Sequence, residues 1–258
     1  MANAWELIRN KQYQAAIDEC TRLYMETKST SHLRNRGAAF QLLKDYKSAL
    51  ADYQRVIGIE EPQSQHSGDY IRLGICYWWL EKPSQTVAAW RQALTTPYTD
   101  AAGGVQAPVM LLYAAQRLKD AELIYESLVI LTKMWRNHER RRKSKQIRGE
   151  GITQTDFAYQ GLFGWPGAIT PFILGKLKSA ELRTWVSVAA KDNDILRARF
   201  QCQADFYLSL DALRKGDIAG FKAAMVHCAG SRYGELEDEY YLALWEVEHG
   251  FPDPAFKF

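Results

Sequence analysis

The stretch Leu33-Arg-Asn-Arg-Gly37-Ala-Ala-Phe40, followed by Asp45-Tyr46-Lys-Ser-Ala49-Leu-Ala-Asp-Tyr53, decides the fold class because its pattern occurs more than once. Tyr13, Ala16, Ile17 and Cys20 recur 33 residues later as Tyr46, Ala49, Leu50 and Tyr53. Gly37 and Phe40 recur 37 residues on as Gly74 and Tyr77, and Tyr53 and Val56 as Trp90 and Ala93. A period of this length marks stacked supersecondary units, each burying its apolar face only against its neighbours. Each residue type has a physical task. The glycine on a first helix lets the second helix approach, since a Cβ there would hold them apart. The alanine on the second helix does the same from the other side. Tyr, Phe or Trp fills the space left beside the small residues, where a large side chain contributes most. Pro62 and Pro97 fall after the second helices, where proline cannot continue a helix.

A glycine, an alanine and aromatics at fixed offsets near every 34 residues resemble the tetratricopeptide-repeat (TPR) family, over residues 1–98. The copy Tyr70-Ile-Arg-Leu73-Gly74-Ile-Cys-Tyr77, then Trp90-Arg-Gln-Ala93-Leu94, matches nearly as well. Three positions depart from the pattern. Arg36 stands where the family prefers leucine, Pro83 replaces the aromatic supplied by Tyr13 and Tyr46, and Thr86 replaces the alanine. The turn of the second full repeat is therefore expected to be looser. The first unit is truncated around Trp5 and Ile8, as suits a cap.

Beyond Tyr98 the period fades and helical patterning persists. Ala101-Ala-Gly-Gly104 is a break, and Pro108 suits the first turn of a helix ending near Leu118. Ala121 to Arg148 reads as one helix, with Leu123, Ile124, Leu128, Leu131 and Trp135 on a stripe. A loop follows from Gly149 to Gly164, then a short helix from Trp165 to Gly175 and another from Ser179. Arg197–Lys215, Ile218–Cys228 and Glu235–Glu248 complete the set, with Lys215-Gly216-Asp217 as a repeat-type turn. No segment reads as a strand. The expected fold is an all-α, TPR-like α-solenoid of stacked helical hairpins. Its divisions are TPR-like repeats at 1–98 and a divergent helical-repeat region at 99–258, with a basic segment and loop at 136–164.

With 258 residues, 47% hydrophobic and 24% charged, the chain has the composition of a globular protein rather than a disordered one. Lys+Arg 33 against Asp+Glu 30 gives +3, too little to impose a nucleic-acid or membrane role. The distribution says more. Arg136–Arg148 holds seven Lys or Arg and one acid, whereas Glu235–Glu248 holds six acids and no Lys or Arg. Two opposed patches suggest surfaces built for contact, although solvated helix faces also look like this. No apolar leader precedes Trp5, no apolar run approaches a membrane span, and Cys20, Cys76, Cys202 and Cys228 lack metal-binding spacing. A cytoplasmic location with reduced, buried cysteines is expected, a disulfide or metal site being the alternative.

Catalytic motifs are lacking. His32, His66, His138, His227 and His249 fall on different elements without HExxH spacing, and no phosphate-binding glycine loop or nucleophile elbow occurs. His227 and Cys228 are adjacent, hence on different helix faces. Asp192 and Asp194 read as turn and N-cap residues. No enzyme activity and no cofactor is expected.

Binding is the richer reading. In the TPR family the first helices line a concave groove, and carrying those positions over gives Arg34, Ala38, Gln41 and Leu42, then Ile71, Ile75, Trp78 and Trp79. Tyr70, Leu73, Gly74 and Tyr77 already occupy core positions, so one of the two tryptophans is expected to face outward as an anchor. The alternative packs Trp78 beneath the next unit. Arg34 and Arg72 near that face would suit an acidic or hydroxylated partner. Arg140, Arg141 and Arg142 invite either an acidic protein or phosphate, but the run lacks the interleaved aromatics of single-strand binders, so nucleic acid is disfavoured.

A TPR-type half joined to a divergent helical half, with Trp165-Pro-Gly-Ala-Ile-Thr-Pro-Phe-Ile-Leu-Gly175-Lys-Leu, is similar to immunity proteins of bacterial Rhs and contact-dependent toxin systems. That likeness implies one cognate toxin domain as partner, blocked by occlusion of its cleft. The alternatives are a general TPR adaptor or chaperone and an RNA-associated protein.

Overall fold

The computed structural model describes residues 4–60, 65–97, 104–147 and 165–252, with only the backbone for residues 138 and 141–147. Pro62 and the loop expected at 149–164 lie outside the described residues. Among the described residues there are thirteen α-helices and no strand, an all-α fold. The chain divides into two compact units, Met1–Tyr98 and Thr99–Phe258.

The first unit contains α1 (Ala4–Arg9), α2 (Tyr13–Thr27), α3 (Thr30–Leu42), α4 (Tyr46–Ile59), α5 (Ser67–Trp79) and α6 (Pro83–Ala93). Each helix packs on the next, giving three stacked hairpins in the TPR-like arrangement. The small residues interlock as their sequence implies. A Cβ on Gly37 would lie 2.9 Å from the Tyr53 ring, and one on Gly74 only 2.2 Å from Trp90 Nε1. Ala16, Ala49, Tyr53 and Trp90 are all fully buried beside them. The truncated α1 buries Ile8 and leaves Trp5 exposed, as a cap does.

Two departures from the family pattern are compensated rather than loosened. The buried Thr86 hydroxyl donates to Gly74 O at 3.1 Å, tying α6 to α5, and Pro83 occupies the first turn of α6. Arg36 binds Asp52 through both carboxylate oxygens, at 2.6 and 2.8 Å, and Thr21 Oγ1 at 2.9 Å. An ion pair thus replaces the leucine contact. The expected looser turn is corrected by the hydroxyl, which replaces a missing contact with a cross-helix hydrogen bond.

The second unit contains α7 (Gln106–Leu118), α8 (Ala121–Ile147), α9 (Ile169–Ile173), α10 (Ser179–Ala190), α11 (Asp194–Arg214), α12 (Ile218–Ala229) and α13 (Asp238–His249). The 21-residue α11 is its spine, packing against α7, α9, α10, α12 and α13. Its buried stripe includes Cys202, Phe206, Leu210 and Leu213.

The fading period is true of side chains and not of the backbone. Lys11, Lys44, Glu81, Lys119 and Gly216 all adopt positive φ after a first helix. After each, one N–H reaches five residues back at 2.9 Å: Gln12 to Leu7, Asp45 to Phe40, Lys82 to Tyr77, Asp120 to Ala115, Asp217 to Ala212. This is a Schellman turn, and it closes all five corners, three in the first unit and two in the second; Gly175, also at positive φ, repeats it after α9, where Lys176 N reaches Pro171 O at 2.8 Å. In three of them the next residue also caps the second helix: Asp45 accepts from Ser48 N, Asp120 from Leu123 N and Asp217 from Gly220 N.

Candidate protein-binding site

The groove positions of the first unit are mostly engaged within it. Arg34 donates from Nε and Nη2 to both oxygens of Asp69, each at 2.7 Å, and from Nη2 to Glu60 at 2.6 Å. Its hydrogen bonds to Asp69 outweigh burial and raise its already high pKa. Burial opposes ionisation of Glu60, but hydrogen bonds from Thr30 and Arg34 hold its carboxyl below the usual range. Arg34 is therefore a clamp joining α3, the end of α4 and α5, not a free charge awaiting an acidic partner. Gln41 is buried too. It accepts from the Tyr53 hydroxyl at 2.8 Å and donates to Cys76 Sγ at 3.7 Å.

Ile71 and Ile75 lie in the core, with Ile71 O accepting from Trp90 Nε1 at 3.0 Å. Trp78 is only 6% exposed and stacks near Trp90, with ring centres 6.4 Å apart. Trp79 is half-buried and lies flat on Tyr46 at 4.3 Å. Trp78 thus packs inside, the alternative reading, whereas Trp79 keeps part of its surface exposed. The reason is that α5 packs against both α4 and α6, so its apolar residues wrap around it. Tyr77, assigned to the core, is instead half-exposed, its hydroxyl accepting from Gln54 at 3.0 Å.

A different helix presents an open apolar and basic face. Tyr125, 72% exposed, and Val129 precede Lys133, Arg136 and Arg140 along one stripe of α8, and all five line one open cleft. Their spacing of three or four residues keeps them on one side. Arg141 and Arg142 follow on the same helix, their side chains outside the described residues.

The acidic patch expected at Glu235–Glu248 is corrected. Glu239 and Glu246 point inward and are fully buried, and Glu237 is nearly so. Tyr207 OH donates to Glu239, and Gln203, which accepts from Trp165 Nε1 at 2.6 Å, lies beside it. Burial, reinforced by Glu237, pushes the Glu239 carboxyl up to about 8. Burial also raises Glu246 to about 7, although Arg117 stands 2.8 Å away and Tyr113 OH donates at 2.7 Å. The sequence did carry a signal: Glu239, Leu242, Ala243 and Glu246 follow the i, i+3, i+4, i+7 spacing of a buried stripe.

A second cleft, of about 370 Å³, lies between α10, α11 and α12, bordered by Arg183, Asp205, Lys215, Gly220, Ala224 and His227. No described His, Cys, Asp or Glu residues group as a metal site. All four cysteines are buried thiols, and burial pushes the Cys228 thiol well above its ordinary pKa, the reverse of a nucleophile. No described helix is long and apolar enough to cross a membrane.

No protein-family model matches the chain, and no curated protein matches it. Among solved structures, it is similar to a TPR2AB domain of yeast Sti1 in complex with pHSP90, at 15% identity and a TM-score of 0.40. That similarity covers 94% of this chain and 96% of the other. The fold described above rests on the hairpin geometry of this chain itself.

Proposed function

We propose that this chain is a non-enzymatic, protein-binding helical-repeat module whose partner docks on α8. One observation carries the reading: an exposed Tyr125–Val129 apolar step continues directly into Lys133, Arg136 and Arg140. An exposed aromatic flanked by arginines is the composition of an interface anchor, and the row of cations selects an acidic surface on the partner. Trp79 and the half-buried face of α5 are a second, smaller contact region.

The finer proposal is an immunity protein that occludes one cognate bacterial toxin domain in the cytoplasm. Its support is the resemblance carried by the TPR-type half and the Trp165–Leu177 stretch. A general TPR adaptor fits the same surface with several partners.

Affinity capture from host lysate, followed by direct binding of the purified partner, tests this. Wild type is compared with Tyr125→Ala/Val129→Ser and with Arg136→Glu/Arg140→Glu. The expected result is one stoichiometric, nuclease-resistant protein, with binding weakened at least tenfold by either pair, as for hot-spot residues. A secreted toxin domain encoded beside this chain supports the immunity role. Many partners favour the adaptor. Nuclease-sensitive recovery, lost in the arginine pair alone, overturns the protein-binding reading.

A further inference from the structure

The cleft in the second unit contains a carboxylate whose hydrogen bonding is incomplete. Asp205 is 3% exposed. Its Oδ1 accepts from Gln201 at 3.0 Å and from Arg183 Nη1 at 3.3 Å, whereas among the described residues no side chain or backbone group donates to Oδ2, which keeps its contact with solvent in the cleft. Burial raises its pKa, with only partial opposition from Gln201, Arg183 and His227. A carboxylate taken out of water this far ordinarily gathers several donors or a close cation. Here the one cation touching it is held at long range by a side chain that is half exposed.

The neighbouring acids are already engaged. Asp211 is held by Arg214 at 2.5 Å and Lys215 at 2.6 Å, and Asp217 caps α12 through Gly220 N. Arg214 and Lys215 are thus turned to Asp211, leaving Asp205 as the under-neutralised charge of the cleft. The α12 wall is built from Gly220, Ala223 and Ala224, small residues that leave room for an incoming group, with His227 beyond them.

We propose that this cleft receives a cationic side chain, a guanidinium or ammonium group of a protein partner, with Asp205 as its counter-ion. The incoming N–H groups supply Oδ2 with the donors it lacks, and the stem lies along Ala223 and Ala224. Arg183 then serves as a displaceable placeholder. The site is distinct from the α8 face and does not depend on it.

The test uses the full chain and a blocked arginine, N-acetyl-arginine methylamide, followed by methyl signals of Ala223 and Ala224 in nuclear magnetic resonance. Blocked lysine distinguishes ammonium from guanidinium, and blocked citrulline is the neutral isostere. Saturable shifts are expected with arginine or lysine, about tenfold weaker with citrulline, as befits a hydrogen bond to a charged group. They are expected to vanish in Asp205→Asn. Ala223→Trp fills the cleft from an exposed position, so it blocks binding without disturbing the carboxylate, and it decides the matter if Asp205→Asn fails to fold. On binding, the Asp205 titration should move downward. Equal shifts with citrulline, or retained binding in the folded variants, overturn the proposal, as does the absence of any saturable shift.

Discussion

The two units form the same turn and surround it with different residues. Counting from each left-handed residue, the first unit places Gly37, Ala49 and Tyr53 around Lys44, and Gly74, Thr86 and Trp90 around Glu81. The second unit places Leu112, Ile124 and Leu128 around Lys119, and Ser209, Phe221 and Met225 around Gly216. One unit lets helices close on small residues and wedges a ring beside them. The other has leucine or serine at the glycine position and medium or large aliphatic or aromatic groups where the alanine and the ring stand. Their buried charges differ too. The first pairs Arg34 with Asp69 and Arg36 with Asp52, whereas the second pairs Arg117 with Glu246 and also buries Glu239 beside only a tyrosine and a glutamine. Backbone geometry and core composition therefore vary independently in this chain.

The sharpest way to break that comparison is a single methyl group. Gly74→Ala is expected to cost about 3 kcal/mol or more, because its Cβ would meet the wedged Trp90 indole. Gly37→Ala should cost less, since the end of the Tyr53 ring lies farther from it. Ser209→Ala, the same register position in the second unit, should cost about 1 kcal/mol for its hydrogen bond to Phe206 O. Denaturant unfolding of the three variants decides it, and equal losses at Gly74 and Ser209 would erase the distinction.

Next in size is the Arg36–Asp52 pair. Arg36→Leu restores the residue the TPR pattern prefers, yet it strands Asp52 and should cost about 2–3 kcal/mol. Arg36→Leu/Asp52→Leu should recover most of that loss, measured by the same unfolding curves. A single variant as stable as wild type would mean the pair contributes nothing.

The acid–base response should separate the units at smaller amplitude. A folded-state pKa near 8 means Glu239 keeps its proton when the unfolded chain has lost it, so stability falls as pH rises from about 4.5 to about 8. Glu246 adds a similar loss ending near 7. Glu60 behaves oppositely: its depressed pKa stabilises above the ordinary carboxylate range and is lost as pH falls below it. Glu239→Gln should gain on the order of 2 kcal/mol at pH 8 and nothing at pH 4. Hydrogen exchange across the pH range assigns each loss to its unit, and an unchanged slope in Glu239→Gln would refute the account.

The first unit was readable because its interlocking residues are chemically distinctive: glycine, alanine and a ring cannot be interchanged there. The hairpins of the second unit were harder to see because Leu112, Ile124 and Leu128 are ordinary aliphatic residues at unremarkable spacing, two of them only half-buried. Lys119-Asp120, echoing Lys44-Asp45, and Lys215-Gly216-Asp217 preserve a local trace of the turn. The candidate site was less legible still. Exposure of Trp78 or Arg34 depends on which residues of α4 and α6 arrive from other parts of the chain, and periodicity along α5 does not contain that information. Asp205 was missed for the same reason, as its surroundings come from three helices.

The Schellman turn has an evolutionary consequence. Its two backbone hydrogen bonds close within six consecutive residues. A duplicated or deleted hairpin therefore carries its own corner with it, and the copies on either side need only match apolar faces. Lysine at three of the left-handed positions, where glycine is the least strained choice, shows that the corner tolerates poor residues. The ancestry of such a chain is written in its corners long after its core has been rewritten.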